Sequence, residues 1–188
     1  MKNLMLTVVA VFAFGFANAQ ETKFGIKAGL NLANVTGDAE DNSSRLSFHL
    51  GGFAEIKLTD KFALQPELVY SAQGTKIDVT GSEDLVYDLA YVNIPVMAKF
   101  YATKQFSLEA GPQIGFLTSA KMKYDGDSED VKDNFETTDF GFNFGAGYNF
   151  TENISAGLRY NLGLSNIADS TSSEINNSVW SLSVGYKF

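Results

Sequence analysis

Along most of the chain, apolar and polar residues alternate one by one, the signature of strands that are apolar on one face and polar on the other. Phe24, Ile26, Ala28, Leu30 and Leu32 alternate with Gly25, Lys27, Gly29 and Asn31. The same even-numbered rule governs segments 46–58, 62–72, 90–100, 106–116, 140–150, 154–164 and 180–188, and no even position in these eight segments carries a charge. The odd positions hold Lys27, His49, Glu55, Lys57, Glu67, Lys99, Glu109, Arg159 and Lys187 among many Gly, Ser, Asn and Gln residues.

The connections alternate as well. Residues 59–61, the turn around Thr103 and Lys104, and residues 151–153 are tight, whereas 36–44, 75–88, 121–138 and 165–177 are long, polar and mostly acidic. Short turns at one end and long loops at the other predict an all-β fold, an eight-stranded antiparallel up-and-down β-barrel. An even strand number puts both termini at the short-turn end, which is periplasmic in an outer-membrane barrel, with the long loops extracellular.

Residues 1–19 read as a cleaved signal peptide, with Lys2 at the positive start, an apolar stretch over 4–16 and the small-x-small pattern Ala17-Asn18-Ala19. The expected mature domain, residues 20–188, then has 169 residues and a net charge of -9. No other stretch approaches the roughly 18 consecutive apolar residues of a membrane helix. A chain of this kind crosses a membrane only as a closed barrel.

Ring volume decides which way the apolar face points. A soluble eight-stranded carrier turns its apolar face inward, and a transmembrane barrel turns it outward. The even face carries Phe62, Tyr70, Phe100, Phe106, Phe116, Phe140, Phe142, Phe144, Tyr148, Phe150, Tyr160, Trp180, Tyr186 and Phe188. That is more than a narrow eight-stranded lumen holds, so the even face is expected to meet lipid. Phe62, Phe100, Phe106, Phe150, Tyr186 and Phe188 fall beside short turns or the C-terminus, where an interfacial aromatic girdle belongs.

Four runs carry a family resemblance: 91–100 (YVNIPVMAKF), 108–115 (LEAGPQIG), 140–148 (FGFNFGAGY) and 158–161 (LRYN). Together they resemble the PorT-like outer-membrane β-barrel family of Bacteroidetes, often labelled "porin family", and the resemblance covers essentially the whole mature chain. It implies fold and an outer-membrane location. One branch of that family is associated with a secretion system, and no motif assigns this chain to it. Tyr186 and Phe188 are similar to the terminal aromatic signal by which barrel-insertion machinery recognises its clients. Outer-membrane lipid and lipopolysaccharide are the implied surroundings.

Composition narrows the chemistry. The chain has no cysteine, which excludes disulfides, thiolate metal sites and cysteine nucleophiles. Its net charge of -8, with 14 scattered basic residues, argues against a nucleic-acid partner. No cofactor motif is present. The inward ionisable residues Lys27, Glu55, Glu67, Lys99, Glu109 and Arg159 are expected to pair as a polar network in the lumen, because unpaired charges there are costly. The same charges would serve a narrow channel for ions or small solutes. His49 is the sole histidine, and with Ser47 and Glu55 on its face it is the one place to look for a lipid-modifying hydrolase. Asp125, Asp127, Glu129 and Asp130, followed by Asp133, resemble part of a calcium loop without its full ligand pattern and make a weak metal candidate. Asp38, Glu40 and Asp41 repeat that acidity in the first long loop.

All three prolines fall within expected strands, although a closed barrel has no edge on which a missing N–H is harmless. If Phe100 pairs with Phe106, Pro95 lies beside Gly111 and Pro112 beside Ile94, and a bulge is expected there. The reading is a non-enzymatic outer-membrane barrel with a plugged or very narrow lumen. The alternatives are a narrow channel and a secreted or periplasmic soluble barrel carrying a hydrophobic ligand.

Overall fold

A computed structural model describes residues 22–38, 42–77, 84–169 and 174–188. The expected signal peptide, Glu40 and Asp41 lie outside the described residues. The strands are β1 (Thr22–Gly37), β2 (Asn42–Lys57), β3 (Phe62–Ile77), β4 (Leu85–Tyr101), β5 (Phe106–Tyr124), β6 (Asp127–Asp130), β7 (Thr138–Asn149), β8 (Ile154–Gly163) and β9 (Ile175–Lys187), with a 3-10 turn at Lys132–Asn134. Eight of them pair antiparallel in the order β4-β3-β2-β1-β9-β8-β7-β5, and β4 pairs with β5 to close the barrel. β6 pairs with β5 beyond the barrel wall. Gly25 lies opposite Lys187, so β1 begins where β9 ends, at the short-turn end.

The apolar face looks outward. Every exposed large apolar side chain among the described residues has an even number, from Phe24 and Ile26 through Leu182 to Phe188. This is the reverse of a soluble carrier, whose apolar face would be inside. Three of the seven ring pairs among the described residues lie at the short-turn end: Phe62 with Phe100 at 5.1 Å, Tyr148 with Phe150 at 5.2 Å and Tyr186 with Phe188 at 5.6 Å.

At the long-loop end the strands run further than the alternation suggests. β1 extends to Gly37, β2 starts at Asn42, β3 and β4 continue to Ile77 and from Leu85, and β5 reaches Tyr124. Above a bilayer both faces meet water, so period-two patterning fades there while backbone pairing continues. Residues expected in long loops therefore extend the wall.

The prolines do not create the expected bulge. Phe100 pairs with Leu108, not Phe106, and Pro95 lies opposite Gln113. Pro66 pairs with Val96 on the neighbouring seam. The register is the same on both sides of Pro95 and Pro112, from Ile94 with Ile114 to Ala98 with Ala110, so each missing N–H interrupts a ladder without shifting it. The β4–β5 bulge lies higher, between Ala90/Ser119 and Tyr91/Leu117, leaving Thr118 extra. There the Thr118 hydroxyl donates to the Ala90 carbonyl at 2.9 Å. A second irregularity separates Ser44 and His49 on β2. The β3 carbonyls it frees are taken by side chains: Ala72 accepts from Ser47 Oγ at 2.7 Å and Asn31 Nδ2 at 2.9 Å, and Gln73 accepts from Arg45 Nη1 at 2.9 Å.

Candidate functional site in the barrel interior

The lower lumen is a chain of charge-assisted bonds. Odd positions near the middle and short-turn end of neighbouring strands point Lys27, Glu55, Gln65, Glu67, Lys99, Glu109, Arg159 and Lys187 at one another. Arg159 Nη1 and Nη2 donate to the two Glu67 oxygens at 2.9 and 2.8 Å, and its Nε and Nη2 donate to Glu109 Oε1 at 2.9 and 2.7 Å. Lys27 Nζ donates to Glu67 Oε2 at 2.8 Å. Gln65 joins this group to a second one, giving a bond to Glu67 at 2.7 Å and accepting one from Lys99 at 3.1 Å. Lys99 also holds Glu55 at 3.1 Å, and Lys187 approaches both Glu55 oxygens at 3.3 Å. Four cations thus meet three carboxylates. The guanidinium's planar fork suits the carboxylate pair in a way a lysine cannot.

β7 adds no charge to this layer but makes room for it. A Cβ on Gly145 would come within 2.8 Å of the Leu158 carbonyl oxygen and 3.0 Å of Glu109 Oε1. A side chain there would displace the carboxylate that Arg159 holds.

Above the ion pairs lies a neutral polar layer. His49 Nδ1 stands 2.8 Å from Asn31 Oδ1, an acceptor, so the ring proton sits on Nδ1; Nε2, at 2.8 Å, accepts from the Ser183 hydroxyl. Ser181 also donates to Asn31 Oδ1, at 2.8 Å. The grouping of His49 with Ser47 and Glu55 does not form: Ser47 bonds Ala72, and Glu55 faces Lys99 and Lys187. Ser183 occupies the place a nucleophile would take. The adjacent cavity, lined by Gln73, Asn93, Asn161 and Arg159 among others, measures about 40 Å³, which suits ordered water and not an acyl ester.

The long-loop end is closed by apolar side chains. Val35, Leu89, Tyr91, Leu117, Ala120, Val131 and Ile167 form one buried cluster, with Tyr87, Met122, Phe135 and Ile175 packed on it. Two connections are tied over it by backbone bonds: Glu136 N–H to Ile167 O at 2.8 Å, Asp169 N–H to Asn134 O at 3.0 Å and Ile167 N–H to Ile175 O at 2.8 Å. Beneath the cluster Asp139 is buried, accepting from Ser165 Oγ at 3.0 Å and Asn177 Nδ2 at 2.8 Å. The expectation of a polar inner face therefore fails in the upper lumen. Leu89, Tyr91 and Leu117 are odd-numbered apolar residues, and that local break in alternation is the signal sequence reading passed over.

The remaining candidates lie apart. Asp125, Asp127, Glu129 and Asp130 are exposed on the β5–β6 hairpin, where Asp125 and Gly126 take φ of 50° and 82° to make the turn. Asp130 Oδ1 accepts from the Lys132 N–H at 3.0 Å. Among the described residues no group of three or more His, Asp or Glu side chains is placed to hold a metal. Tyr186 and Phe188 are exposed at the end of β9.

The family described as outer membrane protein beta-barrel domain matches residues 16–169. No curated protein matches the sequence. Among solved structures, neisserial surface protein A (NspA) aligns with 90% of this chain and 100% of its own at 16% identity, with a TM-score of 0.63. Ail, the attachment invasion locus protein of Yersinia pestis, aligns with 90% and 100% at 18% identity, with a TM-score of 0.54. At these identities the likeness is one of fold.

Proposed function

The chain belongs to the outer membrane protein β-barrel domain family, and from that premise we propose that it is a non-enzymatic envelope protein with a closed interior. Its barrel anchors it in the outer membrane, and its extracellular connections form the working surface. One observation carries this reading. The interior is crossed by ion pairs at mid-height and covered by the Leu89–Tyr91–Ile167 cluster at the long-loop end, leaving internal cavities of about 50 and 40 Å³. Nothing hydrophobic of ligand size fits in that space.

The finer assignments follow as part of the proposal. Residues 1–19 direct export and are removed, Tyr186 and Phe188 present the terminal signal to the insertion machinery, and the outward face contacts lipid and lipopolysaccharide. The resemblance to the PorT-like proteins of Bacteroidetes supports this placement. The acidic hairpin of Asp125, Asp127, Glu129 and Asp130 favours cationic or basic surfaces as contacts and disfavours polyanions.

Planar-bilayer recording on the refolded mature protein tests the closed interior, with heat-modifiable gel mobility confirming that the barrel has formed. A folded barrel without steady conductance supports it. Reproducible conductance that changes when Glu67 or Arg159 is replaced makes the protein a narrow channel instead.

A further inference from the structure

On the β7–β8 seam the outer wall changes from apolar to charged within one turn of chain. Phe140 and Leu164 are both more than half exposed, and the next even-numbered positions beyond them are Thr138 and Glu136 on one side and Asn166 and Ala168 on the other. A barrel wall that is apolar below such a line and polar above it meets the headgroup layer there.

At the same height the wall opens. The Leu164 N–H reaches the Phe140 carbonyl at 2.8 Å, and the two chains are tied again where the Glu136 N–H donates to the Ile167 carbonyl at 2.8 Å. Beside these ties lies an open groove of about 580 Å³, lined by Glu136, Phe140, Ser165, Ala168 and Asp169 among others.

The groove is acidic and has no base of its own. Glu136 and Asp169 are exposed and make no ion pair among the described residues. Residues 131–138 and 164–169 contain a single basic residue, Lys132, whose Nζ donates to the Thr118 carbonyl at 3.3 Å. A third carboxyl group stands behind the groove. Asp139 is buried and is held by Ser165 Oγ at 3.0 Å and Asn177 Nδ2 at 2.8 Å, with no cationic partner among the described residues. Ser165 therefore joins the groove wall to a buried acid that lacks a counter-charge, which is a costly arrangement unless a cation comes near.

The apolar floor selects the kind of cation. A hydrated metal ion gains nothing from the exposed Phe140 ring, and a quaternary ammonium brings no N–H to the carboxylates and meets one ring where it needs a cage. A primary ammonium gives charge-assisted N–H bonds to Glu136 and Asp169, while an attached chain lies along Phe140 and Leu164.

We propose that this groove seats the primary-ammonium headgroup of an outer-leaflet lipid, with Glu136 and Asp169 as its counter-charges and Phe140 against its chain. The proposal rests on the outer-membrane reading above, which puts the groove at the headgroup layer.

Amide NMR of the refolded protein in phosphatidylcholine bicelles, titrated with phosphatidylethanolamine or with phosphatidylglycerol, provides the test. Phosphatidylethanolamine should shift the amides of Phe140, Ser165 and Ala168 saturably, and phosphatidylglycerol should not. Glu136→Gln combined with Asp169→Asn should weaken that response about tenfold, as for loss of hydrogen bonds to a charged group. Asp127→Asn combined with Glu129→Gln removes the same charge from the β5–β6 hairpin and should leave it unchanged. Equal responses to the two lipids, an undiminished response in the Glu136/Asp169 variant, or the same shifts with soluble ethanolamine or magnesium overturns the lipid site. Contacts between the Leu182 methyl groups and lipid acyl chains report separately on insertion. Their loss counts against the outer-membrane reading, whereas lost lipid selectivity in an inserted barrel counts against the groove.

Discussion

Arg159 on β8 and Glu67 on β3 face each other across the lumen in a two-bond fork, with Nη1 2.9 Å from Oε2 and Nη2 2.8 Å from Oε1. Their strands are not neighbours in the sheet, so this contact spans the barrel and does not reinforce one seam. Arg159→Met leaves Glu67 and Glu109 short of a counter-charge and should destabilise the barrel by about 3–5 kcal/mol, the usual cost of breaking a buried pair. Urea unfolding in lipid vesicles measures this. The double variant Arg159→Met, Glu67→Gln should recover part of the loss, and Arg159→Lys should fall between, because an ammonium cannot reproduce the fork.

Gly145 is where β7 yields space to that network. Gly145→Val puts a side chain against the Leu158 carbonyl and the Glu109 carboxylate. A loss of about 1–3 kcal/mol in the same unfolding assay is expected from overpacking. Gly157 on β8, where an added Cβ would meet nothing nearer than the Ala146 carbonyl oxygen at 3.7 Å and the backbone is not left-handed, is the control for glycine loss without crowding.

On the outer wall, Leu182 pairs with Leu30 and Leu158 at mid-strand and is more than half exposed. Leu182→Arg should cost about 2–4 kcal/mol in a bilayer, as for a cation at the midplane of a transmembrane barrel. A soluble protein would tolerate the same change at an exposed site with little effect on stability.

The cover over the long-loop end hangs on Ile167, which is buried and exchanges backbone bonds with Glu136 and Ile175. Ile167→Ser should loosen the two connections without unfolding the barrel. Hydrogen exchange should accelerate at the amides of Glu136 and Asp169, while those of β8 and β9 keep their protection.

How far the sequence carries these features depends on which physical rule each one obeys. The even-numbered face was legible because lipid demands an apolar side chain at every second position, and Phe24 through Phe188 comply. The charge network was legible as a set of residue types, but not its wiring: Gln65, which joins the two halves, looks like any polar lumen residue until its neighbours are placed. Strand ends were misplaced where water bathes both faces, since nothing then enforces alternation at residues such as Lys76 or Lys123. Register was misjudged by two residues on the β4–β5 seam, because pairing Phe100 with Phe106 centres the turn on Thr103, whereas the observed Tyr101–Ser107 pair centres it on Lys104. The cover of Leu89, Tyr91 and Leu117 was masked by the expectation that odd positions are polar.

The orientation of the apolar face underlies every other conclusion, and the protein carries its own probe of it. Trp180 is the single tryptophan, it has an even number, and it is about half exposed on β9. Refolded protein in vesicles containing brominated lipid should show blue-shifted Trp180 emission, strongly quenched by bromine on the acyl chains and little affected by aqueous iodide. Emission quenched by iodide and indifferent to brominated lipid would place this face in water and contradict the transmembrane barrel.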